Sequence, residues 1–139
     1  NRRVQVWDTK RRRGRLLAEE RMGQVLALSF SPDMRLLASA GTDNLITLWD
    51  TASGARLRTL EGHTSWVHGL AFLPTGQSLL SGSLDDTVRL WDVATGEQLV
   101  EYDWDVGRIT ALAGSPSGST AAAAGSDHVI VVWQVEASG

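Results

Sequence analysis

The chain has no cysteine, and among its 139 residues there are only one lysine, one tyrosine, three prolines and three histidines. Without cysteine there is no disulfide, no thiolate nucleophile and no Cys-based metal site. No stretch approaches the roughly 20 apolar residues of a membrane-spanning helix. The Arg-rich start is not followed by the apolar core of a signal peptide. These absences set the expectation of a cytoplasmic protein. Charge of one sign does not prevail along the chain either. Residues 1–21 hold eight Arg or Lys against three Asp or Glu, and the rest holds five against thirteen. Neither part reads as a uniformly basic nucleic-acid domain. A hydrophobic share of 42% and a charged share of 21% fit a folded globular protein. The length suffices for one domain with a core and not for two ordinary ones.

What the sequence does have is a ruler. Trp7, Trp49, Trp91 and Trp133 are each 42 residues apart, and Pro32, Pro74 and Pro116 keep the same spacing. Asp43, Asp85 and Asp127 follow it as well, and one further step back lands on Asn1. A period of this size marks a repeat architecture. Each period has strand-length runs rich in Val, Leu and Ile, separated by turn residues. Pro74-Thr75-Gly76, Asp85-Asp86 and Ala94-Thr95-Gly96 mark the three turns of one period. Four antiparallel strands per period follow. Runs such as NLITLW and TVRLW alternate little, so both faces of each sheet are expected to be covered by neighbouring sheets.

Gly62-His63, the stretch Ser83 to Thr87 and Leu90-Trp91-Asp92 stand at spacings that resemble a WD repeat, the blade of a β-propeller. The resemblance covers the whole chain. It implies an all-β, antiparallel fold of about 3.25 blades: residues 1–21 as the last two strands of a truncated blade, 22–63 and 64–105 as the second and third repeats, and 106–139 as a degenerate fourth without its outer strand. The second repeat has Glu20-Arg21 where Gly-His should stand. The fourth has Asp105 in place of His, Ala123 in its second strand and Gln134 after its Trp. Three and a quarter blades cannot close a ring. The expectation is therefore the C-terminal part of a larger propeller, completed by the parent chain or by further copies. The last repeat stops at EASG, where its outer strand would begin, and propellers of this family often borrow that strand from the start of the full chain.

In this family a His, a Ser or Thr, the turn Asp and the Trp form a hydrogen-bonded tetrad. Matched by position, these are His63, Ser81, Asp85 and Trp91. A catalytic reading of Ser, His and Asp would need an exposed hydroxyl and an oxyanion hole, and nothing in the sequence supplies them. No enzyme, cofactor or metal site is expected. His68 and His128 have no second His or Cys at ligand spacing. Family partners are commonly bound at one mouth of the ring. The mouth positions here are Gln24, Leu26 and Thr42; Trp66, His68 and Leu84; and Arg108, Thr110 and Ser126. Trp66, His68 and Arg108 are the candidate contacts, with edge packing as the other reading of Trp66. The function expected is a protein–protein interaction scaffold binding a protein or peptide. The alternative is nucleic-acid or anionic-surface binding through Lys10, Arg11, Arg12, Arg13 and Arg15. A solvated turn is favoured for that run, because no aromatic residue interleaves with it.

Overall fold

A computed structural model describes residues 4–17 and 23–135, with side chains throughout except at 15–17. Asn1, Glu20-Arg21, the closing EASG and the side chain of Arg15 thus lie outside the described residues. The described residues form thirteen strands and no helix. A hairpin, sheet 1, comprises β1 (Val4–Asp8) and β2 (Arg13–Leu17). Sheet 2 comprises β3 (Val25–Phe30), β4 (Leu36–Gly41), β5 (Ile46–Asp50) and β6 (Arg56–Leu60). Sheet 3 comprises β7 (Val67–Phe72), β8 (Ser78–Ser83), β9 (Val88–Asp92) and β10 (Gln98–Tyr102). Sheet 4 comprises β11 (Ile109–Gly114), β12 (Thr120–Gly125) and β13 (Ile130–Gln134).

Every neighbouring pair is antiparallel and consecutive in sequence, and the register follows the ruler. Leu37 faces Trp49, Leu79 faces Trp91, and Ala121 faces Trp133. Local chemistry fixes the turns. After β5, the Asp50 carboxylate accepts the backbone N–H groups of Ala52 and Ser53, and Gly54 takes a left-handed conformation at φ 73°. Gly96 repeats that conformation at φ 76°.

The sheets pack face to face as an unclosed stretch of propeller. Ala38, Ala40, Ile46 and Leu48 of sheet 2 meet Val67, Leu70, Leu79 and Trp91 of sheet 3. Leu80, Val88 and Leu90 on the other face of sheet 3 meet Ile109, Ala121 and Ala123 of sheet 4. Val4 of sheet 1 joins Leu37 and Trp49 of sheet 2. Full burial of each Ile, Val or Leu removes apolar area worth about 1.5–3 kcal/mol. The innermost strands β7 and β11 pack closely enough that a Cβ on Gly69 would lie 2.8 Å from Leu112 Cβ.

Candidate functional site

One end of sheets 2, 3 and 4 carries the same irregularity three times. The register of β3 on β4 shifts between Val25 and Ala27, that of β7 on β8 between Val67 and Gly69, and that of β11 on β12 between Ile109 and Ala111. The skipped residues are Leu26, His68 and Thr110. Such bulges re-aim side chains and bend the strand. Leu26 and His68 are half-buried and Thr110 is exposed.

Just before each bulge the backbone is pinned to the neighbouring turn. Thr42, Leu84 and Ser126 donate their N–H groups to the carbonyls of Gln24, Trp66 and Arg108 at 3.0, 2.8 and 2.9 Å. The side-chain oxygens of Thr42 and Ser126 also accept the N–H groups of Gln24 and Arg108 at 2.8 and 3.1 Å. Leu84 offers no such oxygen, and in that sheet Ser83 Oγ instead donates to the Ser65 carbonyl at 3.0 Å. The backbone is thus held while the side chains of Gln24, Trp66 and Arg108 reach solvent. Trp66 is 47% exposed and belongs to none of the three apolar clusters. Among the described residues Arg108 makes no ion pair.

Beneath this end of sheet 3 the structure brings His63, Ser81, Asp85 and Trp91 together. Trp91 Nε1 donates to Ser81 Oγ at 2.7 Å, Ser81 Oγ lies 2.7 Å from His63 Nε2, and His63 Nδ1 lies 2.8 Å from Asp85 Oδ2. Indole only donates and carboxylate only accepts, so one assignment uses every group: Ser81 O–H donates to Nε2, and Nδ1–H donates to Asp85. Burial alone would raise the Asp85 pKa. Hydrogen bonds from His63, Thr87 and the Thr64 N–H outweigh it and hold the carboxyl well below the usual range. Its pKa is depressed on folding. The stability it contributes is therefore present above the unfolded value of 3.8 and is lost as pH falls from there toward the folded value. Ser81 is fully buried and His63 nearly so, which leaves no exposed nucleophile in this group.

Sheets 2 and 4 hold reduced versions. Trp49 Nε1 donates to Ser39 Oγ at 2.8 Å. In sheet 4 Ala123 replaces the serine, and Trp133 Nε1 is buried without a partner among the described residues. Trp104 stands one 42-residue step after Gly62, and its ring centroid lies 4.5 Å from that of Trp133 and 5.1 Å from that of Tyr102. Comparing residues 62 and 104 along the ruler could have found this aromatic cluster.

Lys10 to Arg12 lie in the turn joining β1 to β2, Arg13 opens β2, and all four are exposed. The structure sets Trp7, 61% exposed, beside it. Among the described residues no group of three or more His, Asp or Glu side chains could hold a metal ion. No helix there is long and apolar enough to cross a membrane.

No curated protein matches the chain. The family model described as WD domain, G-beta repeat, matches residues 16–50, 54–92 and 97–134. The matched segments end at the ruler's Asp50, Asp92 and Gln134, each after three consecutive strands that the structure pairs in one sheet. A match over most of the chain, on units that repeat their register, bulge and turn three times, makes this chain a member of the WD-repeat family.

Proposed function

We propose that the chain is a non-catalytic interaction scaffold whose partner, a protein or an extended peptide, docks on the end of the sheets that carries Trp66, His68 and Arg108. WD-repeat domains generally mediate protein–protein interaction and are typically non-catalytic. The observation that carries the reading here is the triple bulge at Leu26, His68 and Thr110, each beside a pinned backbone with an exposed side chain. A rigid frame under Trp66 lowers the entropy lost on binding, and Trp and Arg are the side chains most often dominant at interfaces. Gln24, Thr42 and Leu84 complete the rim. Ile130 and Val132 lie on a face of the kind that a further blade covers, which supports a larger ring supplied by the same polypeptide or by further copies.

Selection of a random peptide library on the chain tests the docking site. Peptides chosen by the wild type should lose affinity about 30-fold on Trp66→Ala, with an unchanged melting temperature and little dependence on salt. Peptides that bind Trp66→Ala and Arg108→Ala as tightly as the wild type would place the binding surface elsewhere.

A further inference from the structure

Trp66 is exposed on a sheet whose neighbours are both in place. Sheet 2 covers one face of sheet 3 and sheet 4 the other, so the 47% exposure of the indole belongs to an enclosed sheet. What surrounds the indole is charge of one sign. The connections of sheets 2, 3 and 4 fall into two sets, one at each end of the strands. The set beside Trp66 comprises the turns at 42–45, 84–87 and 126–129 and the segments 61–66 and 103–108. Apart from Asp85 of the tetrad and the half-buried Asp43, it carries the exposed carboxylates of Glu61, Asp86, Asp103, Asp105 and Asp127. Arg108 is the one arginine or lysine among these residues. At the opposite end, the turns at 31–35, 51–55, 73–77, 93–97 and 115–119 carry Asp33 and Glu97 against Arg35, a near balance.

Folding does not use these carboxylates. Among the described residues none of the five makes an ion pair, and only Asp103 accepts a hydrogen bond, from the Asp105 N–H at 3.1 Å. Like charges gathered without counter-charges repel one another and attract a cationic partner. The backbone brings them to the indole: the Leu84 N–H bonds the Trp66 carbonyl at 2.8 Å, which sets the turn of Asp86 beside it. An indole face attracts a cation more strongly than any other aromatic side chain. A guanidinium stacks on such a face while its edge N–H groups reach carboxylates, so one arginine uses both features. An uncharged apolar anchor would use the ring alone, and an acidic segment would be repelled.

We infer that the occupant of the Trp66 end is an extended basic segment of another protein, anchored by one arginine stacked on Trp66 with Asp86 and Asp105 as its counter-charges. The inference rests on the docking reading given above and narrows its partner. Arg108 repels a second cation and is left to donate to the segment's carbonyl oxygens.

Three random-peptide libraries, alike except for arginine, citrulline or glutamate at the central position, test this on the full chain. Citrulline keeps the shape of arginine without its charge. The arginine library should yield binders at least about 10-fold tighter than the citrulline library, and the glutamate library none. Trp66→Leu keeps an apolar surface without the ring face, and should erase most of that preference. Asp86→Asn with Asp105→Asn should weaken the arginine peptides about 5-fold. The melting temperature should not change, because asparagine tolerates the left-handed backbone of both positions. One cation held largely by stacking keeps the salt dependence small. Citrulline binders as tight as the arginine binders overturn the inference, and so does an arginine preference that survives Trp66→Leu. If such binders still lose affinity on Trp66→Ala, the docking site stands and only the nature of its occupant falls. No binder from any of the three libraries overturns both.

Discussion

Val88 and Ile130 hold the same place in sheets 3 and 4, 42 residues apart, yet one is fully buried and the other is 73% exposed. Leu90 and Val132 repeat the contrast at 1% and 64%. The strands themselves are alike: both are five residues long, open on a β-branched residue and pair in the same register with the strand before them. What differs is the neighbour. Sheet 4 covers Val88 and Leu90, and no described residue covers Ile130 and Val132 in that way. Strand formation is therefore a local property of each repeat, whereas the burial that stabilises it comes from the next one. A second contrast runs in parallel. Sheet 3 joins four side chains into one hydrogen-bonded chain, sheet 2 keeps the Trp–Ser pair, and sheet 4 has the Trp alone.

The first contrast has the largest consequence. Leu90→Ala should lower unfolding free energy by about 3 kcal/mol, because it opens a cavity between two packed sheets. The matched substitution Val132→Ala should change it by less than about 0.5 kcal/mol. Chemical denaturation of the two variants checks both numbers. The second contrast predicts a graded series of smaller effects. Ser81→Ala should cost about 2 kcal/mol, since it strands the buried Trp91 N–H and His63 Nε2. Ser39→Ala, which strands only the Trp49 N–H, should cost about 1 kcal/mol. Ala123→Ser, which offers an acceptor to Trp133 Nε1, should add about 0.5 kcal/mol. Thermal melts of the three variants give the order directly.

The ruler made much of this readable before any coordinates. Spacing placed the strands, and the family resemblance named His63, Ser81, Asp85 and Trp91, which the structure brings within hydrogen-bond reach. The turn arginines were also legible, because residues 12, 54 and 96 can be compared by eye, although only coordinates show that Arg12 adopts the conformation of its glycine counterparts. The bulges were not legible. An extra residue in a ladder leaves no mark when every repeat carries it, and the ruler keeps its length through Leu26, His68 and Thr110. Nor could composition distinguish Ile130 from Val88, because exposure depends on a neighbour rather than on the residue. The staple between sheets 2 and 3 was hidden for the opposite reason. Arg58 donates to the carbonyls of Ala94 and Thr95 at 2.7 Å each, and its counterparts Leu16 and Val100 cannot do the same.

The Trp66 mouth sits above sheet 3, the sheet with a covered neighbour on each face and the complete tetrad beneath it. On the proposed docking site, sheet 3 is the rigid frame of the proposed binding end, and sheet 4 is the yielding one. Native-state amide hydrogen exchange tests it most directly, by comparing β8 with β12, which are both paired on two sides. The β8 amides are expected to exchange at least about 100-fold more slowly than those of β12. Equal protection of the two strands would contradict it.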